Sequence, residues 1–150
     1  AHRIQFSPDG QLWIGEISRG WGRGPAGIQV LKWDGQTTPF EMHAISLQDD
    51  GFKINMTKPI DPATLTKTNI EITSYRYNYW ANYGSEPVDV KTEAVRNIVV
   101  SNDKKSIKLD LALEKERIYS FRIKNVRSAD NDPLVNNTAC YTLNNLRTSK

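Results

Sequence analysis

Nucleophilic and metal chemistry need convergent side chains, and this 150-residue chain supplies few of them: two histidines, His2 and His43, and one cysteine, Cys140. A Ser-His-Asp relay or a histidine metal site would have to be built on His43, at the start of a predicted strand. One thiol can neither close an internal disulfide nor assemble a cysteine metal site, so Cys140 is expected as a buried strand residue. Gly-x-Ser-x-Gly, His-x-x-x-His, phosphate-loop and dinucleotide motifs are absent. The acidic pairs Asp49/Asp50 and Asp130/Asp132 are of the type that ligates calcium or cleaves glycosides. Both lie among Gly, Asn or Pro, where Asp is favoured for turn formation, and turn chemistry is the reading adopted. No catalytic residue, metal ligand or cofactor is assigned.

The unusual segment is Ser74-Tyr75-Arg76-Tyr77-Asn78-Tyr79-Trp80-Ala81-Asn82-Tyr83-Gly84. Read as a strand, it puts Tyr75, Tyr77 and Tyr79 on one face and Arg76, Asn78 and Trp80 on the other. Sugar rings stack on such platforms, so Tyr75, Tyr77, Tyr79, Trp80 and Tyr83 are the candidate ligand-binding residues, with polysaccharide as the ligand. The competing and leading reading is packing, because Tyr and Trp suit positions with one edge buried and one wet, as at an interdomain contact.

The elements that must carry this segment show a period of two. Phe52, Ile54 and Met56 alternate with polar residues, as do Ile70 and Ile72, Ile107, Leu109 and Leu111, and Tyr119, Phe121 and Ile123. Met42 to Leu47, Ala94 to Val100 and Ala139 to Leu143 supply further strands, and Asp49-Asp50-Gly51, Ser101-Asn102-Asp103 and Asp130-Asn131-Asp132-Pro133 supply turns. About seven short antiparallel strands between residues 41 and 148 predict an all-β sandwich. Its predicted core is Phe52, Ile54, Ile72, Leu109, Phe121, Ile123 and Tyr141. One helical turn is expected at Pro62 to Thr66, capped by Asp61.

Residues 1–40 have a different texture, with Gly10, Gly15, Gly20, Gly22, Gly24, Gly27 and Gly35 interleaved with Trp13, Trp21 and Trp33. Short strands are expected at Ile4 to Phe6, Leu12 to Gly15 and Ile28 to Trp33, with turns at Ser7-Pro8-Asp9-Gly10 and Asp34-Gly35. An apolar face bearing Phe6, Trp13, Ile14 and Trp33 would need a partner, most naturally the Tyr75 to Tyr83 segment, while residues 20–25 are expected to be mobile. The run Phe6-Ser7-Pro8-Asp9-Gly10-Gln11-Leu12-Trp13-Ile14-Gly15 resembles the repeated blade motif of sorbosone/glucose dehydrogenase-like β-propellers. The resemblance implies that residues 1–40 are the remnant of a last blade. It also implies a quinone cofactor and catalytic residues elsewhere in the parent protein, none of which matches a residue here.

Phe52 to Pro59, the Ile60-Asp61-Pro62-Ala63-Thr64 elbow, Asn69 to Ile72, Ser106 to Leu111, Tyr119 to Val126 and Asp130-Asn131-Asp132-Pro133-Leu134 together resemble the bacterial Ig-like (SbsA-type) family of surface-layer and exported multidomain proteins. That likeness implies an Ig-like antiparallel sandwich over residues 41–148, and an accessory domain that positions its neighbour in a secreted or cell-surface bacterial protein. The expected partner is the rest of its own polypeptide, and the expected state is a monomer. The chain begins Ala1-His2-Arg3 with no signal core or bilayer-spanning apolar run, and reads as a segment of something larger. Its 20 basic and 17 acidic residues are dispersed, unlike a nucleic-acid footprint.

Overall fold

Alternating side chains favour pleated strands, and the strands expected from that alternation pair in register in a computed structural model that describes residues 3–17 and 26–147. The chain divides into two units, Ala1–Thr37 and Thr38–Lys150.

In the first unit, β1 (Arg3–Phe6), β2 (Leu12–Glu16) and β3 (Gly27–Leu31) form an antiparallel sheet in that order. The β1–β2 connection closes through Gly10 N–H to the Ser7 carbonyl at 2.9 Å, with Gly10 at φ +81°, a conformation that costs glycine little. Phe6 pairs with Leu12, and Leu12 with Leu31, while Ile4 pairs with Ile14. These five side chains therefore share one face, and Trp13, Val30 and Ile28 occupy the other. This corrects the single apolar face expected for Phe6, Trp13, Ile14 and Trp33, because adjacent strand residues point to opposite sides. Trp33 lies beyond β3, and its indole N–H donates to the Thr37 carbonyl at 2.7 Å. The mobility expected for residues 20–25 falls outside the described residues.

The second unit holds β4 (Met42–Gln48), β5 (Gly51–Met56), β6 (Ile70–Arg76), β7 (Val88–Glu93), β8 (Asn97–Val100), β9 (Ser106–Asp110), β10 (Arg117–Ile123) and β11 (Thr138–Leu143). Two antiparallel sheets result, ordered β4-β5-β9-β8 and β11-β10-β6-β7, and their inner faces meet in a β-sandwich. Among the described residues of this unit there are eight strands rather than seven. The additional one, β7, runs along a sheet edge and buries little, so its alternation was weak in sequence.

Phe52 lies at the centre of the core, with ring centroids 5.1 Å from Tyr119, 5.1 Å from Phe121 and 5.2 Å from Tyr141, so aromatic contacts join the two sheets. Ile54, Ile72, Leu109, Phe121 and Ile123 are buried as expected. Tyr141 is only half-buried and packs at the rim of this core. Each fully buried Phe or Ile contributes about 1.5–3 kcal/mol. Gly51 is required where β5 meets β9, since a Cβ there would run into the Leu109 carbonyl oxygen.

The Asp61-Pro62 signal gives a 3-10 turn, Pro62–Thr64, whose cap is the Asp61 carboxylate accepting from Ala63 N–H at 3.0 Å. A second turn follows at Lys67–Asn69. Cys140 is a correction: β11 turns Tyr141 and Leu143 inward, so the alternation puts the thiol on the exposed face. Among the described residues, no helix is long and apolar enough to cross a membrane.

Candidate functional site

The candidate site is the aromatic loop between β6 and β7, and its geometry begins with the two strands that carry it. The β10 alternation that buries Tyr119, Phe121 and Ile123 also turns Arg117 inward, where its side chain is 0% exposed. A buried guanidinium is stable only if its donors are satisfied and its charge opposed. Here Nε donates to Ser74 Oγ at 2.8 Å and NH2 to the Ser74 carbonyl at 3.1 Å, while Asp89 supplies both its carboxylate and its backbone carbonyl. Arg117 thus ties the end of β6 to the start of β7.

A half-exposed layer of charge surrounds it. Arg76 reaches Asp89 at 3.1 Å and Glu114 at 2.5 Å, and Lys91 reaches Glu114 at 2.7 Å. The Lys91 ammonium, then the Arg76 guanidinium, pull the Glu114 carboxyl down to about 2. Arg117 beside Asp89 lowers that carboxyl as well. Both stems of the loop, Arg76 and Val88, are therefore paired across the sheet and fixed by a network of alternating charge.

Beyond these stems the strand expected at Tyr75 to Tyr79 does not continue. β6 ends at Arg76, with a register shift between Ser74 and Arg76, and the chain turns back through Gly84 at φ +78°. Asn78 N–H donates to Ser85 Oγ at 3.0 Å, and the Trp80 indole N–H to the Gly84 carbonyl at 2.7 Å. These bonds close the loop on itself, so the two-faced strand arrangement gives way to a cleft.

Tyr77, Tyr79 and Trp80 line that cleft, which measures about 450 Å³, together with Asn78, Asn82 and Ser85. Tyr79 is 107% exposed and Tyr83 109%, whereas Trp80 and Tyr77 are about half so at 53% and 49%. Tyr75 stands on the outer face of β6, its ring 5.3 Å from that of Tyr77 in an edge-to-face contact. The hydroxyl of Tyr77 beside it, reinforced by burial, pushes the Tyr75 phenol up to about 12, so it stays a neutral donor. Of the five candidates, Tyr77, Tyr79 and Trp80 line this cleft, and Tyr75 and Tyr83 do not. Sequence reasoning missed Asn82 and Ser85, which carry no local signal, and Arg117. Extending the Tyr119-Phe121-Ile123 alternation back by two residues would have found Arg117.

The other chemistry-bearing residues lie apart. His43 is exposed on β4. Lys58 pairs with Asp130 at 3.2 Å and with Asp132, while Ser128 Oγ accepts the backbone N–H of both at 3.2 and 3.0 Å. Asp50 pairs with Lys108 at 2.7 Å, and Asp49 lies 3.4 Å from Arg147. Among the described residues, no group of three or more His, Cys, Asp or Glu side chains is arranged to hold a metal ion.

No protein-family model and no curated protein matches this sequence. Solved structures do. The S-layer protein rSbsC(31-844) matches over 71% of this chain with a TM-score of 0.54 and 18% identity. The N-terminal part of the bacterial S-layer protein SbsC matches over 71% at 0.55 and 18%. Domains 1-6 of surface layer protein SbsC match over 73% at 0.56 and 17%. At this identity the likeness is one of fold. The chain spans 14%, 24% and 14% of those three chains, respectively.

Proposed function

We propose that the chain is a non-catalytic, immunoglobulin-like accessory module of a larger bacterial cell-surface or secreted protein, in which it positions its neighbouring domain. The observation that carries this reading is the strand order. With β4 to β11 lettered A, B, C, C′, D, E, F and G, the sheets read A-B-E-D and G-F-C-C′, the immunoglobulin arrangement with one added edge strand. A second feature supports it. The Tyr119 hydroxyl, near the start of the F-like strand β10, accepts the Glu114 backbone N–H at 2.8 Å, as in a tyrosine corner. Two residues on, where antibody domains carry the second cysteine of their inter-sheet disulfide, stands Phe121, edge-on to Phe52. An aromatic pair takes the place of the disulfide and removes the need for an oxidising fold.

The likeness to domains of S-layer proteins supports a structural role and an exported location. The first unit, apolar on both faces, suits a propeller blade covered on each side by its neighbours, and the module's partner is the rest of its own polypeptide. The purified chain should behave as a monomer and turn over no glycoside, ester or peptide substrate. Turnover that disappears in His43→Ala would overturn the non-catalytic reading.

A second reading, a carbohydrate-binding module, is favoured by one observation: Tyr77, Tyr79 and Trp80 present exposed rings around a cleft whose stems are immobilised. Retention on insoluble polysaccharide, lost in Trp80→Ala, tests it.

A further inference from the structure

Tyr77 lines two clefts. The first is the 450 Å³ cleft of the aromatic loop; the second, of about 350 Å³, lies on the outer face of the sheet and is lined by Tyr75, Arg76, Ile118, Thr142 and Asn144 as well as Tyr77. We propose that the two clefts form one groove with two adjoining sugar subsites that share the Tyr77 ring, and that its occupant is a neutral, β-linked oligosaccharide of gluco-configured units. This inference rests on the carbohydrate reading and specifies its ligand.

Four observations carry it. Exposed aromatic rings offer flat apolar surface, and a pyranose with all its hydroxyls equatorial presents a matching face of axial C–H bonds; sugars with axial hydroxyls break that face. Each cleft pairs its rings with uncharged hydrogen-bonding groups, Asn78 and Asn82 in one and Thr142 and Asn144 in the other, which suit sugar hydroxyls as both donors and acceptors. The charged groups beneath the groove are engaged with one another, Arg76 and Lys91 with Glu114, and Arg117 with Asp89, and Glu116, which also lines the second cleft, offsets the one positive charge these pairs leave over, so these six groups carry no net charge to select an anionic ligand. Finally, the loop is fixed before any ligand arrives, by its ion-paired stems and by the Trp80–Gly84 and Asn78–Ser85 bonds, so little ordering cost opposes binding.

Calorimetric titration of the whole chain with glucose, cellobiose and cellotetraose, and with N-acetylglucosamine, chitobiose and chitotetraose, tests the groove. Affinity should rise on the order of tenfold from one unit to two in at least one series. Tyr77→Ala should abolish binding to every probe. Asn144→Ala should remove the gain from the second unit, with unfolding midpoints of both variants confirming an intact fold. Length-independent binding, or an Asn144→Ala variant that keeps the gain, overturns the two-subsite groove while the carbohydrate reading stands. Trp80-dependent retention on mannan without response to the six probes overturns the gluco-configured ligand only. No response to any of these overturns both.

Discussion

The two units of this chain use the same alternation to opposite ends. In the sandwich, the inward rows of β5, β6, β9 and β10 bury Phe52, Ile54, Ile72, Leu109 and Phe121 almost completely. In the sheet of β1 to β3, Phe6 is 70% exposed and no side chain of the three strands is fully buried. Apolar alternation therefore produces strands in both units, but a buried core in only one. A sheet becomes stable when a second sheet closes over its apolar face, and three strands with apolar residues on both faces lack that cover within their own unit.

The largest test of this contrast is Phe121→Ala. Truncation opens a cavity beside Phe52 and should cost about 3–5 kcal/mol in urea unfolding; a loss below about 1 kcal/mol would mean that the β10 register is wrong. Phe6→Ala, of identical chemistry, should stay within about 0.5 kcal/mol in the same measurement.

Arg117 sharpens the comparison inside the sandwich, because it is a charged side chain in a core position. Arg117→Ala leaves both a cavity and a released stem, and is expected to cost about 2–3 kcal/mol. Arg117→Met fills most of the space and should recover part of the loss, since Asp89 and Glu114 are half-exposed and can return to water. Equal losses in the two variants would show that packing does not matter there.

A smaller effect is expected from acid. The Glu114 and Asp89 carboxyls are lowered in the folded chain, so the stability they add is fully present above their unfolded range, near pH 4.5 for Glu114. It is lost as pH falls toward the folded value, about 2 for Glu114. Midpoints measured from pH 5 to 2 should fall, and fall less steeply in Glu114→Gln. An identical slope in that variant would place the acid sensitivity in other pairs, such as Lys58–Asp132 or Lys124–Glu71.

Much of the sandwich was legible because its signals are local. Phe52-x-Ile54-x-Met56 and Tyr119-x-Phe121-x-Ile123 state their own faces, and Asp61-Pro62 states its own cap. The features that were not legible depend on distant partners. Arg117 finds Ser74 from 43 positions away and Asp89 from 28, and neither spacing leaves a trace in a one-dimensional pattern. Cysteine is usually buried, which points Cys140 inward, but Tyr141 next to it already claims the inner face. At Tyr75 to Tyr83 the sequence shows an aromatic composition, with packing as the leading reading. Its conformation was not legible, since Gly84 and the Asn78–Ser85 bond turn it into a loop.

The central claim is that the sandwich folds as a self-sufficient module. Residues 38–147, produced alone, test it most directly through thermal unfolding followed by near-ultraviolet circular dichroism of the core tyrosines. The account predicts a single cooperative transition, with a midpoint close to that of the sandwich in the whole chain. A fragment with no cooperative transition, or with β-structure but no fixed aromatic packing, would contradict it.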